Sequence, residues 1–118
     1  MTKNQIAYVE LPTTDIRTLR DFYRKHFGWQ LFELGDDYAV FQNSGIDGGI
    51  SPNPNDRTKA PLVLLETDEV DAVEARLRSA GVSITKEAFD YPGGRRFHFL
   101  DPSGNEMGVF QVVPESKS

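Results

Sequence analysis

The chain offers few side chains that ordinarily exchange protons near neutral pH. It has two histidines and no cysteine, which removes a thiolate nucleophile, a thiolate metal site and a disulfide framework from consideration. His98 lies in the run RRFHFLDP, two residues after Arg96. Strand alternation puts Arg96, His98 and Leu100 on one face, with Phe97 and Phe99 on the other. Glu10 lies in IAYVEL, where the same alternation sets it beside Tyr8 and turns Ala7, Val9 and Leu11 the other way. A carboxyl and an imidazole of this kind are candidates for a metal-free acid–base pair, because histidine titrates near neutral pH.

Nothing in the spacing fixes the distance between Glu10 and His98, and each has a plainer reading. Arg96 and His98 fit a solvated sheet edge. Glu10 fits either an open, wet cleft or pairing with a cation such as Arg96, since burying an unpartnered carboxyl costs on the order of several kcal/mol. His26, late in a helix, suits an exposed position where the helix dipole favours an imidazolium. The glycines of GIDGG (45–49) do not follow a strand and open a helix, so they are no phosphate cradle. No serine nucleophile motif is present.

The elements that must position these residues repeat. IAYVEL (6–11) alternates as a strand and ends at Pro12; Asp15 is a helix N-cap, and Ile16, Leu19, Phe22 and Tyr23 form an apolar stripe closed by Gly28. WQLFEL (29–34) and YAVFQ (38–42) are strands around the turn-forming GDD. LVLLE (62–66) opens a second copy, with Asp68 as N-cap, Val70, Val73, Leu77 and Ala80 as the stripe, and Gly81 as the stop. Asp15 to Gly28 and Asp68 to Gly81 span the same 13 residues (28 − 15 and 81 − 68). Each half therefore reads β-α-β-β-β. Module one covers about 5–51, with GGIS as its last strand; a Gly-, Pro- and Asn-rich linker covers about 52–60; module two covers about 61–113. The whole is one domain, residues 1–118, with PESKS (114–118) as a disordered tail.

Two such modules, with DIRTLRDFYRKHFGW in the first and FLDPSGNEMGVF in the second, resemble the vicinal oxygen chelate superfamily over residues 5–113. That group includes glyoxalase I, extradiol dioxygenases, fosfomycin-resistance thiol transferases and bleomycin-resistance proteins. The resemblance implies an α+β fold in which two βαβββ modules form a U-shaped, partly open mixed β-sheet barrel around a cleft, helices outside. Asp101 to Gly104 read as a structural turn in any protein.

Metal-dependent members of this group carry His or Glu on four strands, because a divalent ion needs N and O ligands with positions left for substrate. Transferred by spacing, those positions fall at Tyr8, seven before Asp15; at Leu62, six before Asp68; at Gly108, seven after Asp101; and within Gly48 to Ile50. None suits a divalent ion, so the expectation is a member without the usual metal ligands and without a cofactor. Gly108 is expected to leave room where the metal would be. The position three before the DP turn contacts substrate in fosfomycin-resistance members, and here it is His98. The expected ligand-binding set is Tyr8, Glu10, Leu62, Leu64, Arg96, His98, Glu106, Gly108 and Phe110, an apolar floor with a few polar groups. Glu10 and His98 are the only catalytic candidates. Trp29 reads as packing between strand and helix or as a ligand-stacking ring, and Met107 as core.

Bulk composition bounds the rest. A net charge of −5 argues against a nucleic-acid surface. No apolar run approaches the ~20 residues of a membrane span, and no basic-then-apolar leader is present, so a cytoplasmic location is expected. The leading expectation is a metal-independent small-molecule-binding protein acting as a homodimer. An enzyme of glyoxalase or dioxygenase type, with an unconventional metal site or an acid–base pair, and an accessory subunit without a ligand are the alternatives.

Overall fold

The computed structural model describes residues 4–34, 38–52 and 58–113. It is α+β, with ten elements in the order β1 (Gln5–Pro12), α1 (Ile16–Phe27), β2 (Gln30–Glu33), β3 (Ala39–Gln42), β4 (Gly48–Ser51), β5 (Leu62–Glu66), α2 (Val70–Ser79), β6 (Ile84–Tyr91), β7 (Gly94–Leu100) and β8 (Glu106–Val112). The β-α-β-β-β repeat is thus present twice. The turn expected at GDD (35–37), the core of the linker (53–57) and the tail (114–118) lie outside the described residues.

The chain forms two compact units, Ala7–Leu62 and Val63–Ser118 with Met1–Ile6. In the first, the strand order is β2-β3-β4-β1, antiparallel except for the parallel β1–β4 pair. In the second it is β5-β8-β7-β6, antiparallel except for β5–β8. First and last strands of each module can pair in parallel because a helix separates them in the chain.

Helix α1 begins where its cap chemistry dictates. Asp15 is extended (φ −148°) and accepts hydrogen bonds from the Thr18 amide at 3.2 Å and the Thr18 hydroxyl at 2.7 Å. Those bonds hold the Asp15 carboxyl below its ordinary range. Gly28 ends the helix in the left-handed region (φ 73°) and donates its amide to the Arg24 carbonyl. Ile16, Leu19, Leu11 and Trp29 then pack against buried Leu31, Phe41 and Ile50. Trp29 stacks on Tyr23 at 4.4 Å and meets Phe41 at 4.9 Å, the strand-to-helix packing role. Phe22 departs from its expected place in the stripe and is 48% exposed. At 3.6 residues per turn it falls on the shoulder of the face set by Ile16, Leu19 and Tyr23. His26 is exposed, as expected.

Helix α2 corrects the sequence reading at its start and at one stripe position. Its N-cap is Glu69 rather than Asp68, and no side chain of the cap bonds back. The Val70 amide is satisfied instead by Gln111 Oε1 at 2.9 Å, an acceptor reaching over from β8. Ala80 is exposed at the helix end rather than packed. Gly81 follows with φ 86°, and the Val82 amide returns to the Leu77 carbonyl at 3.0 Å. Val70 and Val73 pack on Phe97 and Val109, with Leu65, Leu77 and Phe99 around them. Phe97 and Phe99 therefore do face the helix, which commits Arg96 and His98 to the opposite face of β7.

The β7–β8 connection is the structural turn expected. Asp101 Oδ1 accepts from the Ser103 and Asn105 amides, and Oδ2 accepts from the Asn105 side chain, each at 2.9 Å. Gly104 takes φ 88° there.

Candidate functional site

Each unit has one sheet face covered by its helix and one that is not, and the candidate residues lie on the second kind. In the first unit the register aligns Phe32, Val40, Gly49 and Glu10 across β2, β3, β4 and β1. All four alternate with the residues that pack under α1. Glu10 is only 4% exposed. Its Oε2 accepts a hydrogen bond from the Tyr38 hydroxyl at 2.8 Å, and Tyr38 Oη lies 2.8 Å from Tyr8 Oη. Burial first, then the charge of Glu10 and the neighbouring Tyr8, push the Tyr38 phenol far above its ordinary range, so it stays protonated.

Tyr38 was absent from the set drawn from sequence. The signal was present: it stands two residues before Val40, so β3 alternation carries it to the same face as Glu10. What the sequence does not reveal is the cross-strand meeting of three polar groups.

In the second unit the register rows are Leu64–Gly108–His98–Lys86 and Glu66–Phe110–Arg96–Phe89. Leu64, Gly108, His98, Phe110 and Arg96 thus share one face, as alternation required, and Glu106 joins them two residues before Gly108. His98 is 1% exposed, so a solvated edge is excluded for it. Its Nδ1 lies 3.1 Å from Glu106 Oε2, which also accepts from the Thr85 hydroxyl at 3.1 Å. The Arg96 guanidinium carbon sits 5.7 Å from the ring centroids of both Phe89 and Tyr91. Leu62 is buried at the start of β5. Met107 is half-buried rather than fully within the core.

The metal positions implied by the resemblance can be tested on this geometry. A Cβ built at Gly108 would lie 2.8 Å from Leu64 Cδ2 and 3.5 Å from His98 Cδ2, so a side chain there would require the end of Leu64 to move. The same holds at Gly48 and Gly49, where a Cβ would overlap the Phe41 ring and the Tyr38 phenol respectively. Tyr8 is engaged with Tyr38, and Leu62 has no donor atom. These residues do not fit a divalent ion. Among the described residues no three of His, Asp and Glu gather as a ligand set.

Comparisons with known proteins agree with the fold. A family model described as Glyoxalase/Bleomycin resistance protein/Dioxygenase superfamily matches residues 5–109. An anthracycline biosynthesis protein, DauV, from Streptomyces sp. (strain C5) is 29% identical over 122 residues, covering 91% of this chain and 41% of that protein. The chain spans about two-fifths of the length of such curated relatives. Among solved structures, an NAD-dependent benzaldehyde dehydrogenase from Legionella pneumophila superposes with a TM-score of 0.73 at 16% identity, covering 90% of this chain and 98% of that one. Methylmalonyl-CoA epimerase from Mycobacterium tuberculosis superposes with a TM-score of 0.71 at 18% identity, covering 94% and 89%. These likenesses carry the fold alone.

Proposed function

The chain belongs to the Glyoxalase/Bleomycin resistance protein/Dioxygenase superfamily, and we propose that within it the protein binds a small organic molecule without a metal ion. One observation supports this reading: the positions where metal-dependent relatives carry their ligands hold Tyr8, Leu62, Gly108 and the Gly48–Ile50 run, none of which offers an imidazole or a carboxylate. The polar and aromatic side chains on these sheet faces are suited to hydrogen bonding and stacking. The ligand-binding set is Tyr8, Glu10, Leu62, Leu64, Arg96, His98, Glu106, Gly108 and Phe110, with Tyr38 added. The similarity to an anthracycline biosynthesis protein supports a planar, aromatic ligand. We also assign a single domain over residues 1–118, a homodimer and a cytoplasmic location.

A second reading, an enzyme working through an acid–base pair, is favoured by His98 lying 3.1 Å from Glu106. In that reading His98 is the acid–base group and Glu106 sets its orientation.

Native mass spectrometry of protein purified without chelators tests the first reading. A retained organic mass and no divalent ion supports it. One divalent ion per chain overturns it.

A further inference from the structure

In the first unit β2 has β3 on one side and, among the described residues, no strand on the other. The Leu34 amide donates to the Tyr38 carbonyl at 2.8 Å, which marks Leu34 and Tyr38 as a hydrogen-bonded pair. Alternation along the ladder makes Phe32–Val40 and Gln30–Gln42 hydrogen-bonded pairs as well. Leu31 and Glu33 therefore turn their backbone N–H and C=O groups away from β3, toward the outer edge.

The end strand of the second unit is treated in the opposite way. The pairing of β6 with β7 is broken by register shifts between Ile84 and Lys86 and between Lys86 and Phe89. Bulges of that kind twist an edge away from an incoming strand. β2 keeps an unbroken register with β3, and the side chains on its uncovered face are apolar and exposed, Phe32 at 48% and Leu34 at 59%. On its other face Leu31 packs in the core and Glu33 is ion-paired with Arg20 of α1, so the edge is held in place before any partner arrives.

We propose that this edge is a docking surface for β2 of a second copy of the chain, paired antiparallel about a two-fold axis at Phe32. Outward main-chain groups at Leu31 and Glu33 call for an extended strand. With the axis at Phe32, Leu31 of each copy meets Glu33 of the other. Both residues face outward, so two hydrogen-bonded pairs close together. Between them the two Phe32 rings meet as the non-hydrogen-bonded pair, where side chains approach most closely. This axis also keeps like charges apart, because each Glu33 lies opposite a leucine, whereas an axis at Glu33 would set the two carboxylates against each other. The inference rests on the homodimer assigned above and names its surface.

Sedimentation velocity of the full chain over a range of concentrations reads the association. The unaltered protein is expected to run as monomer and dimer in exchange. Phe32→Lys and Phe32→Glu, each alone, should weaken the dimer by about tenfold or more, and an equal mixture of the two should restore it, because residue 32 of one copy faces residue 32 of the other. Unchanged circular dichroism shows that the variants are folded. The chain has no cysteine, so Phe32→Cys carries a single thiol. That variant should cross-link into a dimer in air much faster than Leu34→Cys, which alters a comparably exposed residue that would lie opposite Gln30 of the other copy; it serves if the charged variants do not fold. A dimer that the charged variants leave intact, a mixture that fails to restore it, or equal cross-linking by the two thiol variants overturns the inference and leaves the homodimer standing. A monomer at every concentration overturns both and leaves the edge to a strand of another protein.

Discussion

Leu64 occupies the space that a side chain on Gly108 would need, its Cδ2 lying 2.8 Å from where a Cβ would stand. The two are direct partners in the parallel β5–β8 register, and the contact is made by the end of the Leu64 side chain. Leu64 is 1% exposed and has little freedom to yield. Gly108→Ala is therefore expected to lower stability by about 1–3 kcal/mol, the usual cost of overpacking a buried site. Pairing it with Leu64→Ala should recover about 1 kcal/mol relative to the sum of the single changes. Urea unfolding of the four proteins measures this, and simple additivity would show that Leu64 is not the obstacle.

Gly49→Ala puts a methyl group into the Tyr38 phenol. It is expected to break the Tyr38–Glu10 hydrogen bond and to lower stability by about 1–3 kcal/mol through the buried groups it strands. Gly45→Ala, exposed and with open space around it but strained by φ 98°, tests whether backbone strain alone produces a loss of that size.

The chain has four tyrosines. Tyr38 is held protonated in the folded state above the ordinary phenol value of 10.0. Its contribution to stability is whole below that value and is lost as pH rises beyond it, because the unfolded chain can release the proton and the folded chain cannot. A phenolate absorbance titration should show a fraction, Tyr38, that ionises only as the protein unfolds. In Tyr38→Phe that late fraction should vanish.

At the acid end the signs reverse. Hydrogen bonds from Thr18 to Asp15 and from Asn105 to Asp101 lower both carboxyl pKa values below the ordinary 3.8. The stability they contribute is present above 3.8 and is lost as pH falls through the lower folded values. Amide exchange at Thr18 and at Ser103 should stay slow down to about pH 4 relative to neighbouring exposed amides, then quicken. If protection is lost nearer neutral pH, these two carboxyls are not the titrating groups.

Zinc or manganese added in excess should leave the melting temperature unchanged, since a ligand stabilises only in proportion to its binding of the folded state. An upward shift that saturates would locate a site that the residues at Tyr8, Leu62 and Gly108 do not predict.

The repeat, the cap at Asp15, the stop at Gly28 and the Asp101 turn were all legible in the sequence because each is set by contacts within a few residues. So was the face shared by Arg96 and His98, which follows from a period of two. What escaped was decided across strands. The cap of α2 comes from Gln111, far along the chain. Tyr38 reaches Glu10 only because β3, β4 and β1 align in one register. The side chain that crowds a Cβ at Gly108 is a leucine that local pattern marks only as apolar. Periodicity says which way a side chain points, and leaves open what it meets.

The parallel pairing of each module's opening strand with its closing strand sets a constraint on synthesis. Val9 cannot find Gly48, nor Leu64 find Gly108, until every intervening element has been made. Each half therefore leaves the ribosome with one strand edge waiting for a partner that arrives last. Contacts this distant in the chain slow the search for the native state and prolong exposure of unpaired edges. Loss of β8 at the ribosome would strand β5 and α2 together, since β8 supplies both the pairing edge and the Gln111 acceptor that closes the helix.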